Sequence, residues 1–393
     1  MRGQIINRGK RTWLVRVFLG RGSDGKRRYM NKTISGKKKD AQDWLSETLT
    51  KISTGTFVEP TRETVSEYFD KWLESAARPR VRESTFEDYK ENLDRYIKPA
   101  FGERRLSDLR PLDIQKLYGD MQDRGLSARS VRYVHAVLSS ALKQAVKWHM
   151  LSRNSCDAVE LPRMTRREMQ ALSPKQANRF LSAAAESNQG IVFSFALATG
   201  MRPEEYLALK WSDVDLEKGT ATIRRTLVWR KGGGWYFDEP KTSRSRRTVP
   251  FPASLARTLM AHRRMQAEAR LKLGKDYHNN DLVFATGEGT PLNSRNLMQR
   301  HFRPILAKAG IAKDGENQSE ISELWPDKLK ALRLYDLRHS CATLLLAAGE
   351  NPKVVSERLG HASIVLTLDT YAHVLPSMQQ AATDKLERIL FGT

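Results

Sequence analysis

The sequence predicts a multidomain, mainly helical chain. A small α+β unit is expected over residues 1–60, an all-α unit over 61–165, and a mixed, mainly α unit with a small antiparallel sheet over 166–393. Three observations predict this. A length of 393 residues exceeds what one core usually organises. The spacing of apolar residues changes along the chain, from a short strand-like run near residue 13 to helical spacing from residue 39 onward. Two stretches, Gly55 to Arg62 and the basic Pro162 to Arg167, interrupt the periodic segments and read as boundaries.

In the first unit, Trp13-Leu14-Val15-Arg16-Val17-Phe18 reads as a strand and Ser23-Asp24-Gly25-Lys26 as the turn to the next. Lys39 to Ile52 follows at helical spacing, with Ala41, Trp44, Leu45 and Leu49 on one side. The unit holds 14 Lys and Arg against 5 Asp and Glu, a net charge of +9.

The second unit opens with a capping box, Thr64-x-x-Glu67, ahead of the stripe Val65, Tyr68, Phe69, Trp72, Leu73 and Ala76. Ser84-x-x-Glu87 is expected to open a second helix carrying Phe86, Tyr89, Leu93 and Ile97. Pro111 suits the first residue of a third, with Leu117, Tyr118 and Met121, and Ser127 to Met150 forms a fourth. The aromatic stripes fit a core better than base-stacking platforms, by period alone. Arg129, Arg132, Lys143 and Lys147 either face a nucleic acid or form a solvated face.

Ser173-Pro174 looks like an N-cap and first helical residue of the third unit. Thr220 to Ile223, Thr226 to Trp229, Trp235 to Phe237 and Arg247 to Pro250 suggest short strands, with Lys231 to Gly234 turning and Pro240-Lys241-Thr242-Ser243 at a tip. Lys313 to Lys330 is polar and reads as a surface loop. Met378, Ala381, Ala382, Leu386, Ile389 and Leu390 form a C-terminal amphipathic stripe.

The chain carries 67 Lys and Arg against 45 Asp and Glu, a net charge of +22. Such a field steers a protein onto a polyanion and gives salt-sensitive affinity. No run is long and apolar enough to span a bilayer, and the start lacks a signal-peptide core. The two cysteines, Cys156 and Cys341, fit neither a disulfide framework nor a zinc site, and no Walker-type loop argues for ATP. No cofactor and no metal are expected. A cytoplasmic, bacterial or phage-derived protein follows.

The chemistry concentrates between Tyr335 and Tyr371. Tyr335-Asp336-Leu337-Arg338-His339-Ser340 is followed by Leu359-Gly360-His361 and Asp369-Thr370-Tyr371. Arg202 stands upstream in Thr199-Gly200-Met201-Arg202-Pro203-Glu204-Glu205, and Lys241 lies between. A phosphodiester under attack gathers charge on its non-bridging oxygens, which guanidinium groups match geometrically at any working pH. Fixed cations aimed at developing charge are usually the largest catalytic contribution. A tyrosine becomes a nucleophile when nearby cations favour its phenolate, and a Lys or His can protonate the departing sugar oxygen. Two arginines, a lysine, a histidine and a tyrosine therefore suit cutting and rejoining DNA without a metal.

This ordered set resembles the tyrosine recombinase (phage integrase) family. Its first box, Thr-Gly-hydrophobic-Arg with an acidic residue three positions on, is matched by Thr199, Gly200, Met201, Arg202 and Glu205. Its second resembles His-Asp-Leu-Arg-His-Thr, here Tyr335 to Ser340. Its third, Leu-Gly-His ten residues ahead of a Thr-Tyr tyrosine, is matched at His361 and Tyr371. The likeness runs from about Ser173 to Val374 and more loosely over the whole chain. It implies that Tyr371 attacks the scissile phosphate and forms a 3′-phosphotyrosyl link. Arg202 and Arg338 clamp the phosphate, Lys241 protonates the 5′ oxygen, His361 hydrogen-bonds the phosphate and Tyr335 assists.

The same likeness implies an arm-binding first unit of three short strands and a helix, a core-binding (SAM-like) second unit and a catalytic third. It implies a homotetramer on double-stranded attachment sites of core and arm types, working through a Holliday junction. A directionality factor or DNA-bending host protein would assist, and the protein would be nucleoid-associated. Tyr335 departs from the pattern, which usually has His there. His339, His373 and the remaining histidines read as structural or surface residues. Two other activities fit the chemistry or the fold: a type IB topoisomerase-like nicking-closing enzyme, and a DNA-binding regulator that has lost catalysis.

Overall fold

The computed structural model describes residues 3–21, 25–54, 57–59, 61–164, 169–230, 232–240, 243–311, 332–371, 383–384 and 386–392. The chain divides into two compact units, Met1–Arg166 and Arg167–Thr393.

The first unit begins with an antiparallel meander of β1 (Gly3–Gly9), β2 (Thr12–Arg21) and β3 (Arg27–Ser35), covered by α1 (Lys38–Ser53). Strand alternation sends Val15 and Val17 inward against Ala41, where all three are fully buried. Arg16 takes the other face, donating to Asn31 at 3.2 Å and lying 5.5 Å from the Tyr29 ring centre. Of the expected turn, Ser23 and Asp24 lie outside the described residues.

A separate helical core follows. The Thr64 box closes as expected: Thr64 Oγ1 accepts from Glu67 N at 3.2 Å, and the Glu67 carboxylate accepts from Thr64 N at 2.8 Å. It starts α2 (Val65–Trp72), which widens into a π-turn over Leu73–Ala77. The helix α3 (Glu83–Asn92) begins before the expected Ser84 box. Arg82 is extended at the cap and Glu83 occupies the first turn, where a carboxylate suits the helix dipole. After the short α4 (Lys98–Phe101), Pro111 opens α5 (Pro111–Asp123) and Ser127 caps α6 (Ala128–Lys147). Tyr68, Phe69 and Trp72 are buried, and Tyr68 donates to the Ala141 carbonyl at 2.6 Å, so this stripe is core. Arg132 donates to the Pro162 carbonyl at 2.9 Å, whereas Arg129, Lys143 and Lys147 are exposed.

The second unit is built on a helix that is apolar all round. Ser173 caps α7 (Pro174–Ala185), which packs on α8 (Gly190–Thr199), where Val192, Phe193, Phe195 and Ala196 are buried. Then come α9 (Pro203–Tyr206), β4 (Val214–Asp215), β5 (Thr220–Thr222), β6 (Thr226–Trp229), β7 (Trp235–Asp238) and β8 (Thr248–Pro250). The strands form two antiparallel sheets, β4-β5-β8 and the hairpin β6-β7. The helices α10 (Ala253–Leu273), α11 (Ser294–Leu297) and α12 (Arg303–Lys308) complete the main core, in which Phe180, Phe193 and Phe302 meet edge to face or tilted. Finally α13 (Asp336–Ala347) packs on α8, and α14 (Pro352–Leu359) and α15 (Ile364–Tyr371) enclose a smaller cluster of Ala342, Leu346, Val355, Leu359 and Tyr371.

The overall architecture is thus the multidomain, mainly helical one expected, with small antiparallel sheets. Lys241, the loop from Lys313 to Lys330, and Met378, Ala381 and Ala382 lie outside the described residues. Leu386, Ile389 and Leu390 are exposed. Cys156 and Cys341 are buried free thiols. Among the described residues, no helix is long and apolar enough to cross a membrane.

Candidate active site

Arg202 is placed by the way α8 stops. Gly200 adopts the left-handed conformation (φ 66°) that ends the helix. A Cβ there would lie 2.9 Å from Leu359 Cδ2 and 3.1 Å from Cys341 Sγ, so the turn needs glycine for space as well as conformation. Arg202 is then extended, as a residue before proline prefers, and Pro203 begins α9. Glu205, at the third helical position, accepts from Arg202 N at 2.9 Å and Arg202 Nη1 at 2.6 Å. Its two oxygens also accept from Arg247 Nη1 and Nη2, at 3.2 and 3.1 Å. Burial alone would raise the Glu205 pKa, but Arg247 and then Arg202 outweigh it and hold the carboxylate below its ordinary value.

Arg338 enters from the first turn of α13 and is 1% exposed. Its Nη1 donates to the Gly200 carbonyl at 2.8 Å and its Nη2 to the Leu359 carbonyl at 2.6 Å. These two bonds tie together the ends of α8 and α14. Gly360 closes α14 in the left-handed conformation (φ 67°), and the next residue is His361. The His361 Nδ1 lies 2.7 Å from Thr367 Oγ1. Arg247 Nε donates to the Arg358 carbonyl at 2.6 Å, joining this corner to the Arg202–Glu205 pair.

Tyr371 ends α15 and is 1% exposed. Its hydroxyl lies 2.9 Å from His339 Nδ1, on the residue next to Arg338. Tyr335 also packs against that imidazole, ring centres 5.2 Å apart and 64° between planes. Burial pushes the Tyr371 phenol well above its ordinary value, although Arg338 pulls it down.

The electrostatics are one-sided. Arg202, Arg247 and Arg338 surround one carboxylate, Glu205, and among the described residues no carboxylate comes within ion-pair distance of Arg338. Burial, followed by the field of Arg202, lowers Arg338 to about 10, so it stays charged near neutrality. Burial and then Arg338, Arg202 and Arg247 push His361 down to about 3, so it is a neutral hydrogen-bonding group. A group with two negative oxygens would balance this surplus of guanidinium charge.

Arg202, Tyr335, Arg338, His361 and Tyr371 therefore converge, while Lys241 lies outside the described residues. Three further side chains belong to the constellation. Glu205 carries a capping signature in the sequence, proline at the first helical position and an acid at the third. Arg247 stands in sequence only as the start of a predicted strand, and no local spacing links it to Glu205, 42 residues away. His339 had read as structural or surface, and no local spacing links it to a tyrosine 32 residues away.

Comparison with known proteins agrees with this geometry. Residues 170–378 match the model of the phage integrase family, and residues 64–122 match the phage integrase N-terminal SAM-like domain. A tyrosine recombinase XerC-like protein of Caldanaerobacter subterraneus subsp. tengcongensis is 29% identical over 97% of this chain and 97% of its own. An integrase of Streptomyces ambofaciens is 30% identical over 95% of this chain and 92% of its own. Among solved structures, the Tn1549 transposon integrase in complex with a circular intermediate DNA shares the fold, with a TM-score of 0.65 and 21% identity over 82% of this chain and 99% of that one. With the family model spanning more than half its length and all three boxes converging on one buried cluster, this chain belongs to the phage integrase family of tyrosine recombinases.

Proposed function

We propose that the chain is the integrase of a phage or other mobile element, a site-specific recombinase that cuts and rejoins double-stranded DNA through Tyr371. The Tyr371 oxygen attacks the scissile phosphorus, the 5′ oxygen leaves, and a 3′-phosphotyrosyl link conserves the bond for rejoining. Arg202 and Arg338 hold the non-bridging oxygens. A hydroxyl proton donated by Thr367 to His361 Nδ1 leaves Nε2–H free to donate to the phosphate. Lys241 protonates the leaving oxygen, and Tyr335 supports the cluster. Residues 1–60, 61–165 and 166–393 act as arm-type binding, core-binding and catalytic modules. Four protomers work through a Holliday junction, assisted by a directionality factor or DNA-bending host protein. The observation that supports this reading is the convergence of Arg202, Arg338, His361 and Tyr371, far apart in sequence, around a surplus of guanidinium charge.

The test uses the DNA flanking the coding gene as a nicked suicide duplex, on which cleavage traps the protein–DNA adduct. Wild type forms an adduct that maps to Tyr371. Tyr371→Phe binds the DNA and forms none. An adduct that persists in that variant, or maps to Tyr335, refutes the assignment.

A further inference from the structure

Attack by Tyr371 requires somewhere for its phenolic proton to go, and the acceptors around it differ sharply. The Glu205 carboxylate is filled by four bonds from Arg202 and Arg247 and held below its ordinary pKa. Asp336 is engaged by the Arg333 backbone N–H at 2.8 Å and its guanidinium at 2.9 Å. The Nδ1 of His361 is occupied with Thr367. Arginine cannot accept a proton. His339 Nδ1 is already 2.9 Å from the Tyr371 hydroxyl.

We infer that His339 is a catalytic residue, the general base that takes the Tyr371 proton during strand cleavage and returns it during rejoining. This rests on the reading of Tyr371 as the nucleophile and assigns the proton path that reading lacks. In the forward step a lone pair of Tyr371 Oη forms the bond to phosphorus as the P–O5′ bond breaks, its electron pair leaving with O5′. The Oη proton passes to His339 Nδ1, giving an imidazolium, while O5′ receives its proton from a separate acid. Rejoining reverses both transfers, so no net proton is consumed within the cycle.

The surroundings suit the role. His339 sits on the first turn of α13, beside Arg338, so the base is carried by the same rigid element as a phosphate-binding arginine. Tyr335 packs against the ring and restricts its rotation. The groups facing it are Tyr335, Asp336, Arg338 and Arg333 from α13 and its approach, and Tyr371 from α15. Burial holds His339 down at about 4, so the ring is neutral and able to accept at neutral pH. Transfer before attack is therefore uphill. It proceeds as the Oη–P bond forms and the phenol oxygen loses its hold on the proton.

Single-turnover adduct formation on the nicked duplex tests this in full-length protein. His339→Gln keeps an amide near the phenol but cannot take a proton. It should bind DNA as wild type does, cleave roughly 10²-fold or more slowly, and show a rate that climbs with pH as hydroxide replaces the base. His339→Ala should be partly restored by added imidazole. A rate within twofold of wild type overturns the proposal. So does faster cleavage, the mark of a bond that merely restrains Tyr371. So does a loss with neither imidazole rescue nor an altered pH profile, the mark of a structural role. Should neither variant fold, nitrogen-15 NMR of labelled histidines in wild type decides it: protonation at Nε2 supports His339 as acceptor, and protonation at Nδ1 overturns it. A wild-type adduct at a residue other than Tyr371 would instead defeat the underlying assignment, a separate outcome read by mapping the adduct.

Discussion

Glu205→Gln removes one charge from the centre of the site and almost no volume. In the native side chain Oε2 accepts from Arg202 N and Arg247 Nη2, while Oε1 accepts from Arg202 Nη1 and Arg247 Nη1. Whichever oxygen becomes NH2, one bond to each arginine is lost and a donor faces donors. Glu205 is 1% and Arg247 8% exposed, so neither cation is rescued by water on that side. Breaking a buried ion pair by removing one partner costs roughly 3–5 kcal/mol. Arg202 is 23% exposed and better screened, which lowers the expected loss to about 3 kcal/mol. Peptide-resolved hydrogen exchange in denaturant isolates the second unit's opening from the first's. The exposed neighbour supplies the control, since Glu204→Gln should stay within about 0.5 kcal/mol of wild type. Adduct formation should fall with Glu205→Gln because Arg202 loses its anchor. A stability loss below about 1 kcal/mol, with a normal adduct rate, would show that the carboxylate does not organise the two arginines.

The other predictions concern acid, support, modularity and pH. Lys241→Ala should slow cleavage of ordinary DNA strongly but hardly affect a substrate with sulfur at the bridging 5′ position, whose thiolate leaves without help; equal loss on both would make Lys241 a binding residue. Tyr335→Phe should reduce cleavage by about 0.5–1.5 kcal/mol, the value of one hydrogen bond, and Tyr335→His should be tolerated while adding a rate dependence near pH 6–7; single-turnover rates against pH check both. Deleting residues 1–60 should weaken binding outside the crossover region and flatten its salt dependence while sparing suicide cleavage; a folded truncation unable to cleave refutes this. His339 at about 4 and His361 at about 3 bind fewer protons folded than unfolded. Stability of the second unit should therefore be full above pH 6.5 and fall as pH drops through 6.5 toward 4 and 3, measured by denaturant titration at each pH.

The parts of this molecule legible in sequence are those fixed by short-range physics. The Thr64 and Ser173 caps, Pro111 at a helix start and the helix expected from Ser127 follow from hydrogen bonds and periods spanning a few residues. The Ser84 box failed because a cap competes with its neighbours, and Arg82 adopts the extended cap two residues earlier. The site was legible where a motif is local, as in Thr199–Glu205 and Tyr335–Ser340. Arg247 and His339 were not, because their roles arise only when β8 approaches α9 and when α15 returns Tyr371 to α13. Such contacts leave no period in the sequence.

The pairing of arginines with neutral histidines in this cluster has a common cause. A site that stabilises developing phosphate charge needs cations that survive burial, and the same burial and field strip protons from anything that can lose them. Burial and then the field of Arg202 lower Arg338 to about 10, and it stays charged near neutrality. A lysine starts closer to neutrality, at about 10.4, so the same burial would leave it a smaller margin of charge. Burial first, and then the field of Arg338, Arg202 and Arg247, keep His361 neutral. That field likewise acts on Tyr371, where burial, Tyr335 and Cys341 oppose the phenolate and Arg338 favours it. One charge surplus thus offers a phosphate a fixed counter-charge, adds to the burial that keeps His361 neutral and partly offsets the burial that raises Tyr371. In so buried a setting a guanidinium at Arg202 and Arg338 keeps its charge more securely than an ammonium would.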